Sequence, residues 1–169
     1  NKVQSTQHYL QPPQLFWNCG PQPTEFLLLG EQKCGSDFVR PMVGRGAAYA
    51  DIDGDGDLDV LLTAVGDRPR LLRNDQKLEH HWLRVKLEGV GKNRDAVGAV
   101  VEVTQDNSIQ RRFISPTRSY LSQCELPATF GLGVSTTVKR LVVHWPSGKT
   151  TTREDVPVDQ LLVITEGQE

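Results

Sequence analysis

Residues 51 to 59 read Asp-Ile-Asp-Gly-Asp-Gly-Asp-Leu-Asp, which puts five carboxylates on alternate positions of a nine-residue stretch. Carboxylates spaced this way on a tightly curled loop can converge on one centre, and a hard dication such as calcium takes six to eight oxygens. In this reading Asp51, Asp53 and Asp55 supply side-chain oxygens, Asp57 supplies its main-chain carbonyl, and Asp59 closes the cage. Gly54 and Gly56 permit the curl, since glycine alone reaches left-handed backbone angles without steric cost. A bound cation removes the repulsion among these like charges.

An EF-hand needs a bidentate acid at position twelve and a helix on either side. Counted from Asp51, position twelve is Leu62. The residues after the loop, Val60-Leu61-Leu62-Thr63-Ala64-Val65, form an apolar run with β-branched members that Gly66 ends, the pattern of a buried strand. The loop is therefore expected to join strands. A metal-free acidic turn fits less well, because a solvated turn has no need of strict alternation.

The elements that hold this loop follow from periodicity. No stretch keeps apolar residues at helical spacing for more than two turns, whereas alternating runs recur, so the chain reads as all-β. Strands are expected at Gln14 to Asn18, Glu25 to Leu29, Ala47 to Ala50, Val60 to Ala64 and Arg70 to Arg73. After the polar junction Asn74-Asp75-Gln76-Lys77 the alternation lengthens. Trp82, Arg84 and Lys86 fall on one face of a strand and Leu83, Val85 and Leu87 on the other. Further strands are expected at Val97 to Thr104, Gln110 to Ser115, Val138 to Trp145, Lys149 to Arg153 and Gln160 to Thr165. Short strands at this spacing imply a sandwich or barrel. The expected organisation is a blade-like calcium unit over residues 1–76 and a β-sandwich over 77–169.

Composition narrows the function. Nineteen basic against 21 acidic residues, a formal charge of −2, leave no basic stripe for nucleic acid. No run is long and apolar enough for a membrane-spanning helix. The opening Asn1-Lys2-Val3-Gln4 does not resemble a signal peptide, and the missing initiator Met reads as a processed product or a fragment. Cys19 and Cys34 flank Phe26-Leu27-Leu28-Leu29, where a turn could join them in a disulfide, and free thiols are the open alternative. Cys124 would remain unpaired and reads as a small buried hydrophobe. Millimolar calcium outside cells suits a carboxylate loop of this kind, so an extracellular or cell-surface location is expected.

The passage Gly44 to Asn74, carrying Asp51 to Val60 and Leu71-Leu72-Arg73-Asn74, resembles the FG-GAP or VCBS repeat. In that family the calcium loop lies between strands of a propeller blade. The rest is similar to the ASPIC and UnbV domain, found beside such repeats in secreted proteins including the cartilage acidic protein group. The matching words are His81-Trp82-Leu83, Asn93-Arg94-Asp95-Ala96-Val97-Gly98-Ala99, Ser119-Tyr120-Leu121-Ser122-Gln123, Phe130-Gly131-Leu132-Gly133, His144-Trp145-Pro146-Ser147-Gly148-Lys149 and Glu154-Asp155-Val156-Pro157. The resemblance implies a calcium role for Asp51, Asp53, Asp55, Asp57 and Asp59 and carries no catalytic role. It departs from a full propeller in having one recognisable loop and no internal repeat.

Other constellations read as structural. His80 and His81, taken as neighbours on a strand, point to opposite faces. His144 beside Trp145 suits packing, and Ser115, Ser119 and Ser122 lack a histidine or acid in a nucleophile motif. Trp17, Trp82, Trp145, Tyr120 and Phe130 suit core packing rather than a sugar-stacking surface. The reading is a non-enzymatic calcium-binding structural or adhesive module. A lone blade has exposed edges, so it is expected to self-associate into an oligomer or filament, with Val3 to Leu10 adding as a strand to the next copy. The alternative is a monomeric fragment of a larger secreted propeller that binds a protein or glycan.

Overall fold

The alternation at residues 82–87 is realised in a computed structural model that describes residues 8–20, 26–106 and 108–168. Leu83 and Val85 are fully buried and Leu87 nearly so. The chain is nearly all β and divides into two compact units, one of residues 1–48, 59–73 and 119–122, the other of residues 49–58, 74–118 and 123–169.

The first unit holds an antiparallel hairpin of β1 (Leu15–Asn18) and β2 (Phe26–Leu29). Two helical turns follow, α1 (Glu31–Cys34) and α2 (Ser36–Val39), each four residues long. The sequence reading anticipated no helix here, because a single turn is too short to show helical periodicity. A three-stranded sheet in the order β3-β4-β5 comprises β3 (Gly44–Ala50), β4 (Asp59–Ala64) and β5 (Arg70–Leu72). Leu62 on β4 and, just before β3, Met42 and Val43 are buried, and Gly46 N–H donates to Thr63 Oγ1 at 3.0 Å. Of the segment expected to donate a strand, residues 3–7 lie outside the described residues, as does Glu25 at the expected start of β2. Tyr9 and Leu10 are exposed, and Gln11 makes a β-bridge with Met42.

The second unit is a sandwich of two sheets, not a closed barrel. One sheet, in the order β11-β6-β14, contains β6 (His81–Glu88), β11 (Ala128–Gly133) and β14 (Gln160–Thr165). The other, in the order β13-β12-β7-β8, contains β7 (Val100–Thr104), β8 (Ile109–Phe113), β12 (Thr137–His144) and β13 (Thr150–Pro157). The short strands β9 (Thr117–Ser119) and β10 (Ser122–Gln123) pair with each other. The sandwich core combines Leu83, Val85, Phe130 and Ile164 from the first sheet with Val101, Val103, Leu141 and Val143 from the second. Full burial of each such side chain contributes about 1.5–3 kcal/mol of transfer free energy.

Several strand boundaries differ from expectation: β3 opens three residues earlier, at Gly44, and β8 ends two residues earlier, at Phe113. Residues 97–99 form a turn instead of opening β7, because Asn93 clamps Val97 from both sides. Asn93 Oδ1 accepts the Val97 N–H at 3.0 Å and its Nδ2 donates to Val97 O at 2.9 Å, while Ala96 and Gly98 take positive φ. β13 runs on to Pro157, paired with β12 as far as Thr137. β11 was not anticipated, although Ala128, Phe130 and Leu132 alternate inward.

The turn between β13 and β14 sets β14 parallel to β6. Asp159, at φ 56°, donates its N–H to Trp82 O at 2.6 Å, and its Oδ1 accepts the Trp82 N–H at 3.2 Å. Its Oδ2 lies 2.7 Å from His81 Nδ1. The hydrogen bond from His81 holds the Asp159 carboxyl below its ordinary value of 3.8, against a smaller opposing effect of desolvation. A carboxylate with a depressed folded-state pKa contributes stability above its unfolded value and loses it as pH falls through the folded one. Asp159→Asn keeps a residue that tolerates the left-handed backbone and removes only the charge. The urea midpoint of this variant should therefore lie below that of the wild type at neutral pH. The gap should narrow as pH drops through 3.8 and close in stronger acid.

Candidate metal centre

The Asp-rich loop leaves β3 at Ala50 and re-enters the sheet as Asp59, the first residue of β4. Asp51 organises it. Its Oδ1 accepts the Gly54 N–H at 2.7 Å, and its Oδ2 accepts the Gly56 N–H at 3.0 Å. The Arg84 guanidinium reaches the same Oδ2 at 2.8 Å, and the Asp51 side chain has no exposed surface. Asp55 Oδ1 accepts the Asp57 N–H at 2.9 Å. Gly54 and Gly56 stand at φ 79° and 96°, as the curl requires.

One oxygen from each of Asp51, Asp53 and Asp59 lies within 4.8 Å of the others. Oxygens that share a calcium ion at 2.3–2.6 Å lie no more than about 5 Å apart, so the spacing suits a common cation. An ionised carboxylate offers about four lone-pair sites. The two backbone hydrogen bonds and the Arg84 ion pair do not exhaust these sites on Asp51. The donor set is all hard oxygen, which favours calcium or magnesium over zinc. The Asp55 and Asp57 carboxylates fall outside this group. For Asp57 the expected ligand was the main-chain carbonyl, which leaves its carboxylate without a required role.

The loop packs on the face of β6 that points away from the core. Arg84 is 7% exposed, and its guanidinium holds Asp51 on one side and Glu125 Oε2 on the other. Burial raises the Glu125 carboxyl above its ordinary value, with Arg84 pulling it back. Glu125 N–H donates to Tyr49 O at 3.3 Å, which ties the start of the loop to the strand beyond. The Trp82 indole lies directly on the bare backbone of Gly56, where an added Cβ would come within 2.2 Å of the ring. Arg84 and Glu125 were not singled out from the sequence, and an arginine at an alternating strand position is the only hint that it carries.

The remaining candidates are distributed as follows. His80 precedes β6, so strand alternation does not separate it from His81, and both side the same cleft with Trp82. His144 is exposed on β12, and Trp145 is buried with its indole N–H on Thr151 Oγ1 at 2.9 Å. Phe130 is a core residue, whereas Trp17 and Tyr120 are exposed. Ser115 and Ser122 donate to Thr117 O and Tyr120 O within local turns. Cys19, Cys34 and Cys124 are free thiols, so no disulfide joins Cys19 to Cys34. The Cys34 thiol faces Gly30 O at 3.2 Å inside its own helical turn, and the Cys19 thiol faces Trp17 O.

Comparison with known proteins adds a domain assignment. Residues 89–169 match the family described as ASPIC and UnbV. Over that segment, just under half of its length, the chain is similar to an ASPIC and UnbV domain. The match begins just after β6, which lies in the middle of its sheet, so the second unit includes residues before the matched segment. The chain is also 36% identical over 148 residues to cartilage acidic protein 1 of Xenopus tropicalis, covering 79% of this chain and 23% of the relative. It is 32% identical over 117 residues to cartilage acidic protein 1 of Homo sapiens, covering 65% of this chain and 17% of the relative. The chain thus spans less than a quarter of the length of these curated relatives. Among the described residues no helix is long and apolar enough to cross a membrane.

The contact between Gly56 and Trp82 separates two otherwise similar substitutions. Both glycines have positive φ, but an added Cβ at Gly54 meets open space. Gly54→Ala should cost about 1 kcal/mol from the backbone alone. Gly56→Ala should cost about 2 kcal/mol or more by urea denaturation, with a changed Trp82 near-UV signal, because the indole must shift.

Proposed function

We propose that this chain is an extracellular, non-enzymatic, calcium-stabilised structural or adhesive module that pairs with further copies through its strand edges, in an oligomer or filament. The observation that carries the calcium part is the approach of Asp51, Asp53 and Asp59 within 4.8 Å on a loop latched by buried Arg84. The resemblance of Gly44 to Asn74 to an FG-GAP or VCBS repeat supports the same reading, since the loop runs from one strand to the next of a three-stranded sheet. Calcium binding only the folded chain would stabilise it by about 2.7 kcal/mol at a hundredfold excess over Kd.

Self-association is supported by the hairpin of β1 and β2. Leu15, Phe16, Trp17, Phe26, Leu27 and Leu28 are all exposed there. In its register Trp17 opposes Leu27 on one face and Phe16 opposes Leu28 on the other, so both faces are apolar. A two-stranded hairpin is marginal alone in water and gains stability from a covering surface. The extracellular assignment rests on the calcium concentration that such a loop needs and on the resemblance to the cartilage acidic protein group.

Sedimentation velocity and thermal melting in millimolar calcium and after chelation test this reading, with Asp53→Asn as control. The expected outcome is a large species with raised melting temperature in calcium, both lost on chelation, and neither formed by Asp53→Asn. A compact monomer that still melts higher in calcium would keep the calcium loop and overturn self-association. Identical melting with and without calcium would overturn the metal assignment.

A further inference from the structure

A cleft of about 540 Å³ opens on the loop-bearing side of the β11-β6-β14 sheet, wholly within the second unit. That volume lies in the range of small-molecule sites. We propose that it binds a neutral oligosaccharide, held between the Trp82 indole and a row of carboxylates. The inference develops the ligand-binding alternative, and the Asp55 and Asp57 carboxylates that line the cleft lie outside the three-carboxylate group.

The first support is the shape of the wall beside Trp82. In the β11–β6 register the residue opposite Trp82 is Gly131, so no side chain stands next to the indole on that strand. An added Cβ at Gly131 would meet nothing within 4 Å, and Gly133 further along β11 is equally open. The result is a flat shelf of backbone beside an aromatic ring. A pyranose ring has an apolar face of axial C–H groups that packs on such a surface, while its hydroxyl rim stays polar. Tryptophan combines a large apolar area with an N–H donor and suits a ligand of this mixed character.

The second support is the polar inventory around the shelf. Asp55, Asp57 and Glu79 line the cleft, and an ionised carboxylate only accepts hydrogen bonds. Ligand hydroxyls supply the matching donors, and bonds to a charged acceptor are the stronger class. Thr129 lines the same cleft, and its Oγ1 is buried without a hydrogen-bond partner, a hydroxyl able both to donate and to accept. His81, held by Asp159 at 2.7 Å, also lines the cleft. Acidic glycans are repelled by this row of carboxylates. Sites for quaternary or methylated amines enclose the cation in several aromatic faces. Here the one tryptophan is flanked by glycine backbone, which leaves room for a planar sugar ring rather than a caged cation.

The test is titration of the full chain, in calcium, with cellotriose, mannotriose and chitotriose as separate probes, followed by ¹H–¹⁵N NMR at the Trp82 indole and the Gly131 amide. At least one probe should shift both signals in a saturable way. Gly131→Leu fills the shelf from a position with room for a side chain, and should weaken that binding about tenfold or more, which is about 1.4 kcal/mol. Glu79→Gln, an exposed change, should weaken it about threefold and covers the case in which Gly131→Leu fails to fold. Absence of shifts with all three sugars would overturn the proposal, as would equal binding by both variants. Shifts at the same two signals with an arginine-rich peptide but with no sugar would overturn it in favour of a basic protein partner.

Discussion

The buried guanidinium of Arg84 is the constraint around which the loop-bearing face of the sandwich is arranged. A charge removed from water on a strand face is tolerated only when paired and hydrogen-bonded. Asp51 and Glu125 supply that pairing from either side. Removing one partner of a buried pair costs about 3–5 kcal/mol, because the other charge is left uncompensated. The position of the Asp-rich loop on the sheet is thus specified electrostatically as well as by packing. Asp51 serves both needs, as a latch to Arg84 and as a member of the carboxylate group.

That arrangement makes the β11-β6-β14 sheet buried on one face by apolar side chains and partly covered on the other by polar ones. Leu83, Val85 and Leu87 fill the core, and their neighbours Trp82 and Arg84 meet the loop. The same strand therefore faces the core on one side and the Asp-rich loop on the other. A sheet whose second face meets a charged loop needs a small residue where a large side chain lies on the loop backbone, and Gly56 under the indole answers that need. Gly131, opposite the same tryptophan, leaves the adjoining surface open. Cleft and loop share Trp82 as a common wall, so ordering of the loop bears directly on the shape of the cleft.

Much of this was legible in the residues. The all-β class, the strand β14 and the inward set of β6 follow from period-two alternation, because burial of one face imposes that period on the sequence. Boundaries failed where a side chain overrode the pattern, as when Asn93 clamps Val97 into a turn. β11 went unread because its two glycines weaken the alternation of Ala128, Phe130 and Leu132. The rule for alternate faces does not reach the histidine pair, because it holds only inside a strand and β6 begins at His81.

By itself the sequence determined which residues can do chemistry here. Five aspartates at alternate positions with two glycines between them are the pattern from which a hard-cation loop is expected. Tertiary structure alone decided which aspartates converge, that Arg84 and Glu125 latch Asp51, and that Gly131 faces Trp82. The physical reason is one of range. Donor type and local curl are encoded within a few residues, whereas the partners of a buried charge are set by strand register between segments far apart in the chain.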